Sequence, residues 1–88
     1  MVIFLDNKYT KIYIKLVKNA VHRVNIENIF YERHHIHPKS MGGKNNKDNI
    51  VLLTPKEHYV AHHLLTKMCE GENATKMNYA FWKMNIRY

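Results

Sequence analysis

Cysteine is nearly absent from this sequence: Cys69 stands alone among 88 residues. An internal disulfide is therefore excluded, and so is an all-cysteine zinc site. Acidic residues are scarce too, 7 Asp and Glu against 14 Lys and Arg, which gives a formal net charge of +7. A small domain this basic is suited to a polyanion, of which nucleic acid is the commonest; the alternative is a plain cationic surface. No apolar run approaches the ~18 residues needed to cross a membrane. The opening "MVIFLDNKYT" breaks off at Asp6 and lacks the charged start of a signal peptide. A free thiol without an export signal makes the cytoplasm the expected location. A chain of this length buries only roughly 60–65% of its unfolded surface, so a metal or a partner is expected to support the fold.

With three glycines and two prolines there is no flexible linker, and no internal repeat is visible. Tyr9, Ile12, Tyr13, Leu16, Val17 and Ala20 recur at helical spacing and predict an amphipathic helix over about 9–21. Lys8, Lys11, Lys15 and Lys18 lie mostly off that stripe, either as a solvated face or as a phosphate-facing one. Residues Ile26 to Ile36 contain "NIFYERHHI", rich in aromatic and β-branched side chains, and predict a strand that Pro38 terminates. "KSMGGKNNKDN" (Lys39 to Asn49) reads as a loop, and "IVLL" (Ile50 to Leu53) as a short buried strand that pairs back on the first. "TPKE" then marks a helix start, with Thr54 as N-cap, Pro55 in the first turn and Glu57 at the reciprocal capping position. That helix is expected to run to Cys69, where "EGEN" breaks it at Gly71. A last helix over about 74–86 follows, with Met77, Phe81, Trp82 and Met84 as core or as a dimer surface. The predicted class is α+β, one domain over residues 1–88.

Histidine is the residue in excess. Six of the seven fall between Tyr31 and His63. His58 and His62 are four apart on the helix that Thr54 starts, which sets both imidazoles on one face within reach of one metal ion. If the hairpin packs on that helix, His34 can supply a third nitrogen and leave an open coordination position, the pattern of a catalytic site. His35 neighbours His34 on a strand, so its ring points the opposite way. It is placed to act as general base on water, while the ion offsets charge developing on a phosphate and its leaving oxygen. A zinc-protease reading fails on order, because Glu57 precedes both His58 and His62 instead of lying between them.

The segment "YERHHIHPKSMGGKNNKDNIVLLTPKEHYVAHHLL" resembles the HNH endonuclease motif, most closely the version in phage-borne homing-type endonucleases, with the match running from Glu32 to Leu65. "YTKIY" in the first helix and "AFWKM" in the last are similar as well. The resemblance implies a ββα-metal fold (residues about 30–69) flanked by N- and C-terminal helices. It implies a DNA endonuclease that uses one divalent ion, Mg²⁺ or Mn²⁺ for turnover, with Zn²⁺ or Ni²⁺ also suited to an all-nitrogen site. It assigns His34, His58 and His62 as metal ligands, His35 as base, Asn49 as the residue that ties the loop and orients the base, and Glu32 as a support to the site. Asn49 could otherwise be a turn residue, and Glu32 a salt-bridge partner of Arg33 or a lysine.

Lys39, Lys44, Lys47 and His37 are the candidates for contact with the backbone of double-stranded DNA; as alternatives, the lysines keep the loop soluble and His37 is a solvated loop residue. His63 points away from His62 and is a surface or DNA-facing residue, and His22 is structural or exposed. One site cuts one strand, so a monomer nicks and a homodimer makes a double-strand break. Homing members usually continue into a C-terminal DNA-recognition region, whereas this sequence ends at Tyr88, leaving a fragment, a minimal nuclease or a dimer as readings. A phage-encoded protein of this kind would act in the bacterial host's cytoplasm. The rival function is a metal-stabilised DNA-binding module without cleavage.

Overall fold

The computed structural model describes residues 3–87. Helix α1 (Lys8–His22) is started by Asn7, whose side-chain oxygen accepts the Thr10 amide at 3.0 Å and whose amide nitrogen donates to the Lys67 carbonyl at 3.0 Å. Its buried face is Thr10, Tyr13, Val17 and Ala20. The expected stripe is thus rotated: Ile12 is 50% exposed, while Thr10 goes inward because its hydroxyl donates to the Leu5 carbonyl at 2.5 Å.

Strand β1 (Glu32–His35) is shorter than the expected Ile26–Ile36. Its partner β2 (Ile50–Leu53) offers only four residues, paired antiparallel with Glu32 opposite Leu53 and His34 opposite Val51. Upstream, Asn28 adopts a left-handed φ of 73° and the Ile29 amide donates to the Ile26 carbonyl, so residues 26–29 turn rather than extend. The connection between the strands contains two short 3₁₀ turns, Lys39–Met41 and Lys47–Asn49. Both loop glycines have a structural reason: Gly42 ends the first turn at φ 95°, and a Cβ on Gly43 would fall within 1.8 Å of the His37 carbonyl oxygen.

Helix α2 (Pro55–Met68) begins as the sequence indicates. The Thr54 hydroxyl accepts the Glu57 amide at 3.2 Å and Glu57 accepts the Thr54 amide at 2.8 Å, the reciprocal capping box. Helix α3 (Gly71–Arg87) starts three residues earlier than expected, because the break falls at Cys69–Glu70 and Gly71 opens the new helix. α2 is the central element and packs against α1, α3 and both strands. The core around it holds Tyr13, Leu53, Ala61, Leu65, Met68 and Met77. On α3, Met77 and Met84 are buried as expected, whereas Trp82 is 58% exposed. Two antiparallel strands with a helix packed across them, flanked by helices at either end, form the expected small α+β ββα architecture.

Candidate metal centre

Alternation along β1 decides which side chains meet. Glu32 and His34 lie on the face turned to α2, and Arg33 and His35 on the other. His34 is 2% exposed, and its ring centroid lies 5.1 Å from that of His58 and 5.2 Å from that of His62. His58 and His62, one turn apart on α2, are 4.8 Å apart by centroid. One ring nitrogen from each of the three comes within 4.8 Å of the others. Bonds of about 2.0–2.1 Å from three imidazoles to one ion then require only a small inward shift of the rings.

The outer nitrogens of two of these rings are held, which selects their tautomers. The Tyr13 hydroxyl donates to the Ile36 carbonyl at 2.7 Å, so towards His34 Nε2, 2.8 Å away, it can only accept. His34 therefore carries its proton on Nε2 and turns the Nδ1 lone pair to the cluster. His58 Nδ1–H donates to Glu32 Oε1 at 2.8 Å, leaving the Nε2 lone pair able to ligate. Burial, reinforced by the neighbouring His62, His58 and His35, pushes the His34 pKa down to about 2, so this imidazole is neutral and available as a donor. Neutral imidazoles with oriented lone pairs suit a divalent ion, and the donor set fits the implied metal.

His35 stands outside the cluster. Its Nε2–H donates to Asn45 Oδ1 at 2.9 Å, which fixes the ring and leaves Nδ1 outside that bond. Asn49 fastens the loop beneath it: Oδ1 accepts the His37 amide at 2.8 Å, and Nδ2 donates to the carbonyls of His37 at 2.9 Å and Lys44 at 2.8 Å. His37 donates Nε2–H to the Met41 carbonyl at 2.9 Å, so its ring braces the first 3₁₀ turn. Lys39 lines the cleft over the histidines together with Arg33 and His35. Lys44 and Lys47 are exposed farther along the loop, Lys44 beside a separate hollow shared with Asp48. His63 is exposed and stacks flat on Phe81 at 4.9 Å, and His22 is exposed at the end of α1.

Three residues of this arrangement escaped the sequence reading. Tyr13 was one more member of an apolar stripe, although a tyrosine there needs a polar partner for its hydroxyl. Asn45 was one of several loop asparagines. Arg23 donates to both Glu57 carboxylate oxygens at 2.7 Å and to the Leu52 carbonyl at 3.0 Å, and so locks the start of α2 to the segment entering β1.

Residues 23–64 match the family model for HNH endonucleases. Among curated proteins the chain is similar to three of Enterobacteria phage T4. It is 47% identical to "Probable mobile endonuclease C" over 79 residues, covering 88% of this chain and 36% of the relative. Identity is 42% to "Probable mobile endonuclease D" (84% and 29% covered) and 37% to "Probable mobile endonuclease B" (80% and 33% covered). The chain thus spans about a third of the length of these relatives. No solved structure matches it. The histidine pattern, the ββα fold and the relatives agree, and the chain belongs to the HNH endonuclease family.

Proposed function

We propose that this chain is a metal-dependent DNA endonuclease that hydrolyses one phosphodiester bond per site. The observation that carries the reading is the division between adjacent residues: His34 turns into a three-histidine cluster while His35 turns out of it and is held through Nε2 by Asn45. The family and the names of the T4 relatives support the same reaction class.

His34 through Nδ1, His58 through Nε2 and His62 would hold one divalent ion, Mg²⁺ or Mn²⁺ for turnover. When bound, that ion offsets the charge that builds on the phosphate and the leaving 3′-oxygen. His35 Nδ1 takes a proton from water as the water oxygen bonds to phosphorus; the P–O3′ bond breaks, and the 3′-oxygen takes a proton from solvent. The products carry 5′-phosphate and 3′-hydroxyl ends. Asn45 fixes the ring of His35, Asn49 holds the loop that carries Asn45, and Glu32 raises the basicity of His58. Lys39 binds backbone phosphate beside the cleft, and Lys44, Lys47 and His37 extend the contact along the loop. A monomer nicks duplex DNA, and a homodimer is needed for a concerted double-strand break.

Supercoiled plasmid at low salt tests this reading. Wild type with Mg²⁺ or Mn²⁺ is expected to yield open circles, and EDTA to prevent it. His35→Ala is expected to lose roughly 10²–10⁴-fold in rate while still binding the ion. Plasmid binding without nicking under any divalent ion would leave the chain as a DNA-binding module whose metal serves stability.

A further inference from the structure

The cleft over the histidines does not end at the hairpin. A second cleft of about 320 Å³, between α2 and α3, shares His58 and His62 with it. Its outer wall belongs to α3: Lys76, Tyr79 and Lys83, at i, i+3 and i+7, lie on one helix face. All three are exposed. Lys76 Nζ donates to the Ser40 carbonyl at 3.0 Å, which ties α3 to the turn after Pro38 and leaves two ammonium protons for another acceptor. Lys83 Nζ lies 5.5 Å over the Tyr79 ring, and Trp82 stacks against that ring at 6.0 Å, so the wall is braced from both sides.

We propose that α3 forms the far wall of the DNA site: Lys76 and Lys83 bind phosphates flanking the bond to be cut, and Tyr79 packs on the sugar–phosphate backbone between them. This rests on the nuclease reading above and names where the duplex lies. The two clefts share His58 and His62 in their walls; Arg33 and Lys39 line the one and Lys76 and Lys83 the other. A polyanion crossing the metal centre therefore meets cations on both sides. Lys76 and Lys83 are separated by roughly 10.5 Å along the helix, enough to meet different phosphates. The lysine stripe of α1 is the competing basic surface, but its geometry is wrong. Lys8, Lys11, Lys15 and Lys18 lie on the order of 140–200° around α1 from Tyr13, whose hydroxyl meets His34. A duplex seated on the metal centre cannot reach that stripe.

Equilibrium binding of a short duplex, in the His35→Ala background with Mg²⁺ so that DNA stays intact, tests the assignment. The salt dependence is compared for the parent, Lys76→Gln/Lys83→Gln, Lys83→Gln alone, and Lys15→Gln/Lys18→Gln as a control that removes equal charge from the opposite face. Loss of two phosphate contacts is expected to reduce the slope of log K against log salt by about 1.8, and loss of one by about 0.9. The α1 control is expected to keep the parent slope, and metal affinity to stay the same throughout. Trp82, the only tryptophan, is expected to change its emission on binding. Using Lys83→Gln alone guards against disturbance of the Ser40 contact. A parent slope in both α3 variants, or an equal loss in the α1 control, overturns the α3 assignment alone. A parent that binds no DNA overturns the nuclease reading as well.

Discussion

At the scale of single residues, the site depends on groups that never touch the ion. The Tyr13 hydroxyl is the clearest case. It donates to Ile36 and accepts from His34 in one buried linkage, and burial pushes its pKa upward, so it keeps the proton that makes both bonds possible. Tyr13→Phe removes the acceptor that holds His34 in its Nε2–H tautomer and leaves the buried His34 Nε2–H and the part-buried Ile36 carbonyl without that hydroxyl. Metal affinity is expected to fall roughly 10–100-fold, and stability by about 1–3 kcal/mol. Calorimetric titration with Zn²⁺ or Ni²⁺ reads the first effect and thermal melting of the metal-free protein the second. Wild-type affinity in Tyr13→Phe would mean that the His34 tautomer is set by something other than this hydroxyl.

At the scale of elements, the start of α2 joins two devices of different range. The Thr54–Glu57 box is local, and Arg23 reaches the same Glu57 from 34 residues away. Arg23 holds the Glu57 carboxyl below its usual range, through the side-chain hydrogen bond first. A carboxyl depressed in the folded state contributes stability above its unfolded pKa and loses it as pH falls through the folded value. Arg23→Gln is therefore expected to lower the melting temperature at pH 7, by the equivalent of about 0.5–1 kcal/mol for a partly exposed pair. The gap to wild type is expected to close as pH falls below the ordinary glutamate range. A gap of constant size would assign the effect to the Arg23–Leu52 contact instead. The contrast between the two devices also explains what was legible in the sequence. The capping box, the pair His58 and His62, and the opposed faces of His34 and His35 all follow from periodicity within a few residues. The ends of β1, the Tyr13–His34 bond and the Arg23–Glu57 pair depend on partners at least 15 residues away, and no local period encodes them. The choice between core and surface for Trp82 was open for a related reason: Met77 and Met84 are buried two turns apart, and only the packing of α3 on α2 fixes which flank faces water.

At the scale of the whole molecule, the question is what holds so small a fold together. Cys69 is buried as a free thiol, and several large apolar side chains, Val24, Ile26, Ile29 and Phe30 among them, stay exposed between α1 and β1. The core therefore gathers around α2, and the three histidines clasp β1 to that same helix. An ion bound there would join elements that otherwise meet through few side chains, and would couple binding to folding. An ion present at a hundred times its dissociation constant adds about 2.7 kcal/mol to the folded state. For a domain of this size that corresponds to a rise of roughly 10–20 °C in melting temperature. EDTA is expected to abolish the rise, and His58→Ala to lose most of it. His35→Ala is expected to keep it, because its ring points away from the cluster. Melting curves of the three proteins with Zn²⁺, with Mg²⁺ and with chelator thus separate the proposed ligands from the proposed base without any DNA present. Identical melting of wild type in metal and in chelator would take the ion out of the fold and leave His35 with no centre to serve.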